Sequence, residues 1–246
     1  MKKSRNKTAI VTGASRGIGA AIARKLASMG YDLVLTCSES TGELGLLAKE
    51  IKDLYNIKCD TIKADAGDPT EVAGIFESPV LEDGLDVLVN NAGVSYVGLL
   101  HEMKTEDWRR VMSVNLDSLF YTCRGAITLM LREHSGSIVN ISSVWGNAGA
   151  STEVAYSASK GGVNAFTKGL AKELAPSGIA VNAVSCGLID TKMNSCFSEE
   201  ELRAVVGEIP ADRMGSAQEV AEVVARIIDS PAYMTGQIIG IDGGWI

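Results

Sequence analysis

Seven short runs rich in aliphatic and β-branched residues punctuate the chain, at 8–12 (TAIVT), 32–37 (DLVLTC), 58–63, 85–89 (LDVLV), 137–141 (SIVNI), 179–184 and 237–241. Runs of this length, bounded by glycine or polar residues, predict buried strands. Between them apolar residues return every three or four positions over 20–29, 43–55, 71–76, 105–133, 156–174 and 218–228, with a shorter helical piece at 198–207. That period marks helices with one face on a core. Strand and helix alternate from end to end without linker, repeat or low-complexity tract, which predicts one α/β domain over 1–246. The stretch 187–211 departs from the alternation. It is polar and irregular apart from its helical piece, and loops of such length are commonly lids or binding loops.

Composition narrows the class. Of 246 residues, 46% are hydrophobic, only 5% are aromatic and 26 are glycine, which suits helices packed closely on aliphatic strands. There are 23 basic and 30 acidic residues, a net charge of −7. An acidic surface excludes broad contact with nucleic acid or anionic membranes, since both need a basic patch. The basic start MKKSRNK is followed by an apolar run too short for a signal peptide core, and no membrane-spanning stretch occurs, so a cytoplasmic location is expected. Cys37, Cys59, Cys123, Cys186 and Cys196 are scattered and read as reduced thiols. His101 and His134 lie in polar surroundings, and no metal site is expected.

Candidate chemistry begins at the first strand. Thr12 and Gly13 open a T-G-x-x-x-G-x-G loop through Gly17 and Gly19 into a helix. Glycines there let the backbone approach a phosphate, and the helix N-terminus offers free N–H groups and partial positive charge. After the second strand come Thr36, Cys37 and Ser38, with Arg16 projecting from the loop, a pattern that favours a 2′-phosphate; Glu39 is the dissenting acid. The fourth run breaks into Asn90-Asn91-Ala92-Gly93, read both as a pin between strands and as room for a ligand. Asn115 falls inside a long helical stretch and reads as solvent-facing or as a packing compromise. Finally, Ser143 is followed by Tyr156 and, four residues on, by Lys160. Positions i and i+4 share a helix face, so the ammonium can lie beside the phenol and draw its pKa towards the working pH. The Ser143 hydroxyl would reach the same substrate oxygen.

Taken in order, TGASRGIG at 12–19, Asp65, NNAG at 90–93, Asn115 within VNL, Ser143 and YSASK at 156–160 resemble the short-chain dehydrogenase/reductase family over essentially the whole chain. The resemblance implies a Rossmann-type, doubly wound sheet of about seven parallel strands with helices on both faces, a homotetramer, and NADPH/NADP as cofactor, with NAD less favoured. It implies a catalytic set of Asn115, Ser143, Tyr156 and Lys160: Tyr156 as general acid, Lys160 lowering its pKa and holding the nicotinamide ribose, Ser143 on the carbonyl, Asn115 positioning a water. Cofactor contacts are implied at Gly13, Ser15, Arg16, Gly17, Ile18 and Gly19, at Ser38, Asp65 and Ala66, and at Asn91, Gly93, Ile189 and Thr191 besides Tyr156 and Lys160. Asp65 would meet the adenine and Thr191 the carboxamide. One departure stands out: where the family commonly has Pro-Gly after the sixth strand, this chain has Cys186-Gly187, which keeps the glycine's room for the nicotinamide but loses proline's fixed φ and so puts the loop's rigidity, more than activity, in doubt.

Within the family, TGASRGIG, GIAVNAVS and TGQIIGIDGG are most similar to 3-oxoacyl-acyl-carrier-protein reductases, which implies a ketone on a thioester or protein carrier. VWGNAGASTEVAYSASK and the final DGGWI also resemble reductases of the 5-aminopentanone group on modified elongation factor P. In that reading Trp145 and Glu153 join Ser143 and Tyr156 around the substrate, the acid suiting an amine; the competing reading has Glu153 facing solvent and Trp145 packing a loop. A non-catalytic NADP(H)-binding sensor or scaffold is a third possibility, against which the intact acid and its partners speak. An epimerase or dehydratase is disfavoured because only about sixty residues follow Cys186, too few for an added substrate domain.

Overall fold

Every strand of the computed structural model, which describes residues 6–246 apart from the side chains of 195 and 196, lies in one parallel sheet. The strands are β1 (Thr8–Val11), β2 (Asp32–Cys37), β3 (Cys59–Lys63), β4 (Val87–Asn90), β5 (Gly136–Ser143), β6 (Ile179–Cys186) and β7 (Ile238–Ile241). Their order is β3-β2-β1-β4-β5-β6-β7, so the direction of winding reverses between β1 and β4. Crevices at the carboxyl edge of such a reversal are where open α/β sheets hold ligands.

The helices are α1 (Gly17–Ser28), α2 (Thr41–Tyr55), α3 (Pro69–Ile75), α4 (Thr105–Met112), α5 (Ser118–Glu133), the short α6 (Trp145–Ala148), α7 (Val154–Leu174), α8 (Glu199–Val206) and α9 (Ala217–Ile228). Alternation along each strand divides them between two faces. Ala9, Val11, Leu33, Leu35, Val87 and Val89 share a core with Ile22 and Leu26 of α1, Leu44 and Ile51 of α2, and Val220 and Val224 of α9. Ile10, Val34, Leu88, Ile138 and Val181 point the other way, to Val72, Met130, Ala171 and Leu174 on α3, α5 and α7. Burial on both faces explains why the strands read as unbroken apolar runs.

Two expectations are corrected here. The stretch 105–133 is not one helix: α4 and α5 are separated by a π turn at Ser113–Asp117. Asn115 sits in that turn, 1% exposed, so it is not solvent-facing. Its amide donates to the Val94 carbonyl at 2.9 Å and to Ser159 Oγ at 3.0 Å, and its Oδ1 accepts from the Val94 N–H at 2.8 Å. An amide with three such bonds repairs both the widened turn and the exit from β4. The loss of proline at 186 does not leave the loop unsupported either. Residue 186 is the last ladder position of β6, paired with Ser143 and Ile241. Its carbonyl accepts from Val144 N at 2.9 Å, and Gly187 N donates to Ile241 O at 2.9 Å.

Cys37, Cys59, Cys123 and Cys186 are free thiols, as expected, and Cys196 lies outside the described side chains. His101 and His134 are exposed, and among the described residues no cluster could hold a metal ion. No described helix is long and apolar enough to cross a membrane. Of the basic start, residues 1–5 lie outside the described residues.

Candidate active site

The first turn of α1 is left open for an anion. Helices α3, α8 and α9 start at Asp68, Ser198 and Ser216, whose side chains accept first-turn N–H bonds. At α1 the capping position is Arg16, which makes no such bond, and the first turn carries no acid. The N–H groups of residues 17–19 therefore keep their hydrogen-bonding capacity and the helix its partial positive charge. The glycines around them are fixed by close approach. Gly13 has φ 63°, and a Cβ on it would lie 2.9 Å from Ala92 Cα. A Cβ on Gly19 would lie 2.3 Å from the Gly13 carbonyl oxygen, so Gly19 serves the packing of α1 under the loop and does not line the crevice.

Asn91 locks this loop to β4. Its Nδ2 donates to the carbonyls of Thr12 and Gly13, both at 2.9 Å, while Thr12 Oγ1 accepts from the N–H groups of Asn91 and Ala92, both at 3.0 Å. Asn90 bonds Asn140 of β5 at 2.9 Å and accepts from Thr122 at 2.8 Å. The Asn-Asn pair is thus a strand pin, and Gly93 beyond it faces the groove, as the sequence indicated.

A crevice of about 460 Å³ runs along this edge, lined by the loop from Gly13 to Ile18 and by Ser38, Glu39, Asp65, Ala66, Asn91 and Gly93. It meets a second cleft of about 630 Å³ through Ile18, Asn91, Gly93 and Thr191, which border both. The residues present fit a dinucleotide: free amides for a pyrophosphate, glycines that leave room for it, and a long groove at the switch of strand order. Asp65 accepts from Gly67 N at 2.9 Å and from Arg110 Nη1 at 2.6 Å. Burial pushes its carboxyl up, and these two donors outweigh burial and hold it below the ordinary value. Ile189 is buried and lines the second cleft. Arg16 and Ser38 are exposed on the crevice rim, with Glu39 beside them.

In the second cleft Ser143, at the end of β5, meets Tyr156 and Lys160 from the first turns of α7. Ser143 Oγ accepts the Trp145 backbone N–H at 3.2 Å and turns its own proton to the Tyr156 oxygen, a bond that favours the phenolate. Lys160 Nζ lies 5.6 Å from the Tyr156 ring centroid and donates to the Ile141 carbonyl at 2.8 Å. Lysine and tyrosine are brought together as the i, i+4 spacing required.

The direction of the tyrosine's pKa differs from the expectation. Burial pushes it up, Ser143 pulls against this, and Cys186 and Glu153 add to the rise. Lys160 is itself 4% exposed, and burial lowers it to about 8, with Cys186 opposing. Helical spacing places the ammonium correctly but says nothing of desolvation, which here acts against both charged forms. The phenol is accordingly held in its protonated form at neutral pH. Cys186, beside Lys160, is likewise pushed up to about 12 by burial and is a neutral thiol.

Glu153 does not face open solvent. It is half-buried on the cleft wall, and its carboxyl, raised by burial, accepts the indole N–H of Trp145. Trp145 in turn meets Trp245 edge to face, with ring centroids 4.8 Å apart and an interplanar angle of 65°. Trp245 and Arg110 are the site residues that sequence reading missed. Each lies far along the chain from what it touches, and only a turn signal at Gly243-Gly244 hinted that the last residues fold back.

This fold and site define an oxidoreductase acting on hydroxyl and ketone groups, and the chain belongs to the short-chain dehydrogenase family, whose model matches residues 7–202. It is 41% identical over 245 residues to the 3-oxoacyl-[acyl-carrier-protein] reductase FabG of Aquifex aeolicus, covering 98% of each chain. To the protein of that name from Escherichia coli it is 37% identical over 97% of this chain and 96% of the other. An oxidoreductase of Bacillus subtilis named YmfI is 38% identical over 98% of this chain and 99% of its own.

Proposed function

We propose that the protein is an NADPH-dependent carbonyl reductase in which Tyr156 protonates the substrate oxygen. The observation that carries this is the half-buried Tyr156 on the cleft wall, its hydroxyl bonded to Ser143 and its ring 5.6 Å from Lys160 Nζ. A bound NADPH would supply the hydride to the carbonyl carbon. Ser143 and Tyr156 then hold the carbonyl oxygen between two hydroxyls, and the phenol gives its proton to the alkoxide. Lys160 uses one of its three N–H donors on Ile141, leaving two for a cofactor ribose and for stabilising the phenolate. Asn115 Oδ1 and Lys160 Nζ both border Gly93, 3.4 and 3.7 Å from where a Cβ would stand, and a water between them would return the proton. Arg16 and Ser38 on the crevice rim favour the 2′-phosphate of NADPH over NAD, Glu39 notwithstanding.

For the substrate, the leading reading is a 3-oxoacyl group on a thioester or protein carrier. It is supported by the names of the relatives and by Val97, Met193, Phe197, Leu202 and Val205 along the cleft. One observation favours a second reading. Among the described residues lining the cleft, Lys160 is the sole Lys or Arg, whereas Glu153 and Glu208 are acids. Such a wall suits a ketone with an amino group, as in 5-aminopentanone-modified elongation factor P. We place the enzyme in the cytoplasm, as a homotetramer.

The test follows nicotinamide absorbance with an acetoacetyl thioester, beside NADH and beside aminopentanone-modified elongation factor P. Turnover of the thioester with NADPH is expected. Tyr156→Phe should lower kcat by about 10²–10⁴ while NADPH binding is retained. Turnover confined to the modified factor would favour the second reading, and tight NADPH binding without turnover of any ketone would leave a sensor.

A further inference from the structure

The last five residues form a hook fastened at three points. Asp242 accepts from Gly244 N at 2.9 Å and from Ile246 N at 3.3 Å. Gly243 and Gly244 take φ of 70° and 84°, values that L side chains rarely adopt, and a Cβ on Gly243 would stand 2.8 Å from Ile209 Cγ2 and 2.9 Å from Ala211 Cβ. Ala211 N donates to the Gly243 carbonyl at 3.1 Å, and on the other side Gly187 N donates to Ile241 O at 2.9 Å. The hook therefore ties the end of the chain both to the 209–211 segment and to the floor of the cleft. What it delivers is Trp245, half-buried, against the ring of Trp145.

We propose that Trp245 is a specificity-determining residue of the ketone cleft: with Trp145 it forms an aromatic wall that admits unbranched chains and refuses bulky groups flanking the carbonyl. Two indoles in edge-to-face contact, centroids 4.8 Å apart, present a continuous aromatic surface on that side of the cleft. The wall is braced at Trp145, whose indole N–H bonds the Glu153 carboxyl and whose backbone N–H bonds Ser143. Its place is two residues from the serine that contacts the carbonyl, so its position bears directly on what can flank that carbonyl. The inference rests on the carbonyl-reductase reading.

The experiment compares wild-type protein, Trp245→Ala and Trp245→Phe on ethyl acetoacetate, ethyl benzoylacetate and benzyl acetoacetate, which place a phenyl ring on neither side, one side or the other of the ketone. Trp245→Ala should raise kcat/KM for at least one aryl ketone relative to ethyl acetoacetate by about tenfold or more, the scale at which apolar pockets discriminate. Its affinity for NADPH, which is held in the other crevice, should stay near wild type, and Trp245→Phe should restore most of the discrimination. An unchanged ratio, or a parallel fall with all three ketones, would overturn the inference while leaving the carbonyl-reductase reading standing. Silence of the wild type towards every ketone takes down both.

Discussion

Lys160 shows how a residue can be placed by spacing and yet tuned by something the sequence does not display. Its folded pKa of about 8 lies below the ordinary lysine value of 10.5, and burial is the main cause. Between those values the unfolded chain binds a proton that the native one does not, so this group's contribution to stability rises with pH through that window. It is fully gained above the unfolded pKa and lost as pH falls through about 8. Tyr156 has the opposite sense: its folded pKa is raised above 10.0, so its contribution falls only above that pH. Denaturation of wild type and Lys160→Met at several pH values separates the two. The stability of wild type relative to the variant should improve from pH 8 to about pH 10. A difference constant across that range would mean that the ammonium is not desolvated.

At the scale of elements, what could be read was periodicity. β2 was legible to the residue because Asp32 and Cys37 bound its apolar run, whereas β5 and β6 each run two residues beyond their apolar ends. Those extra residues, Ser142, Ser143, Ser185 and Cys186, are buried in the ladder but mostly polar, and they are the ones nearest the chemistry. The split of 105–133 was hidden for a related reason. A π turn keeps helical periodicity nearly intact, and only the buried partners of Asn115 reveal it. Asn115→Ala should remove three hydrogen bonds and strand both the N–H and the C=O of Val94. Two half-buried polar groups left unpaired cost on the order of 2 kcal/mol together. Urea unfolding should show that loss, with kcat reduced in the same variant because β4's exit borders Lys160. A variant as stable as wild type would mean that water replaces the amide.

Across the whole molecule, the Tyr156–Lys160 pair and the glycine loop were legible because each is local: four residues apart in one, eight residues at 12–19 in the other. Contacts between distant parts, Trp145 with Trp245 and Asp65 with Arg110, were not, since nothing in the order of residues states which loops meet. Assembly belongs to the same category. On α5, Phe120, Arg124 and Leu131 recur as a stripe on one exposed face, Phe120 51% and Leu131 40% exposed, while Ile127 packs partly on the core. A helix that turns two large apolar side chains outward, with Arg124 over the Phe120 ring, while its other face is buried in the core exposes more apolar surface than a monomer needs there. In the proposed homotetramer a second copy of α5 would cover it. Phe120→Asp places an additional carboxylate in that stripe on a chain already at −7, and sedimentation should then report a species smaller than the wild-type tetramer. Leu46→Asp provides the control, because Leu46 on α2 is 72% exposed and lies off the stripe. If both variants sediment like wild type, the α5 stripe is not an interface. If both dissociate, the loss is general and the stripe has no special part in holding copies together.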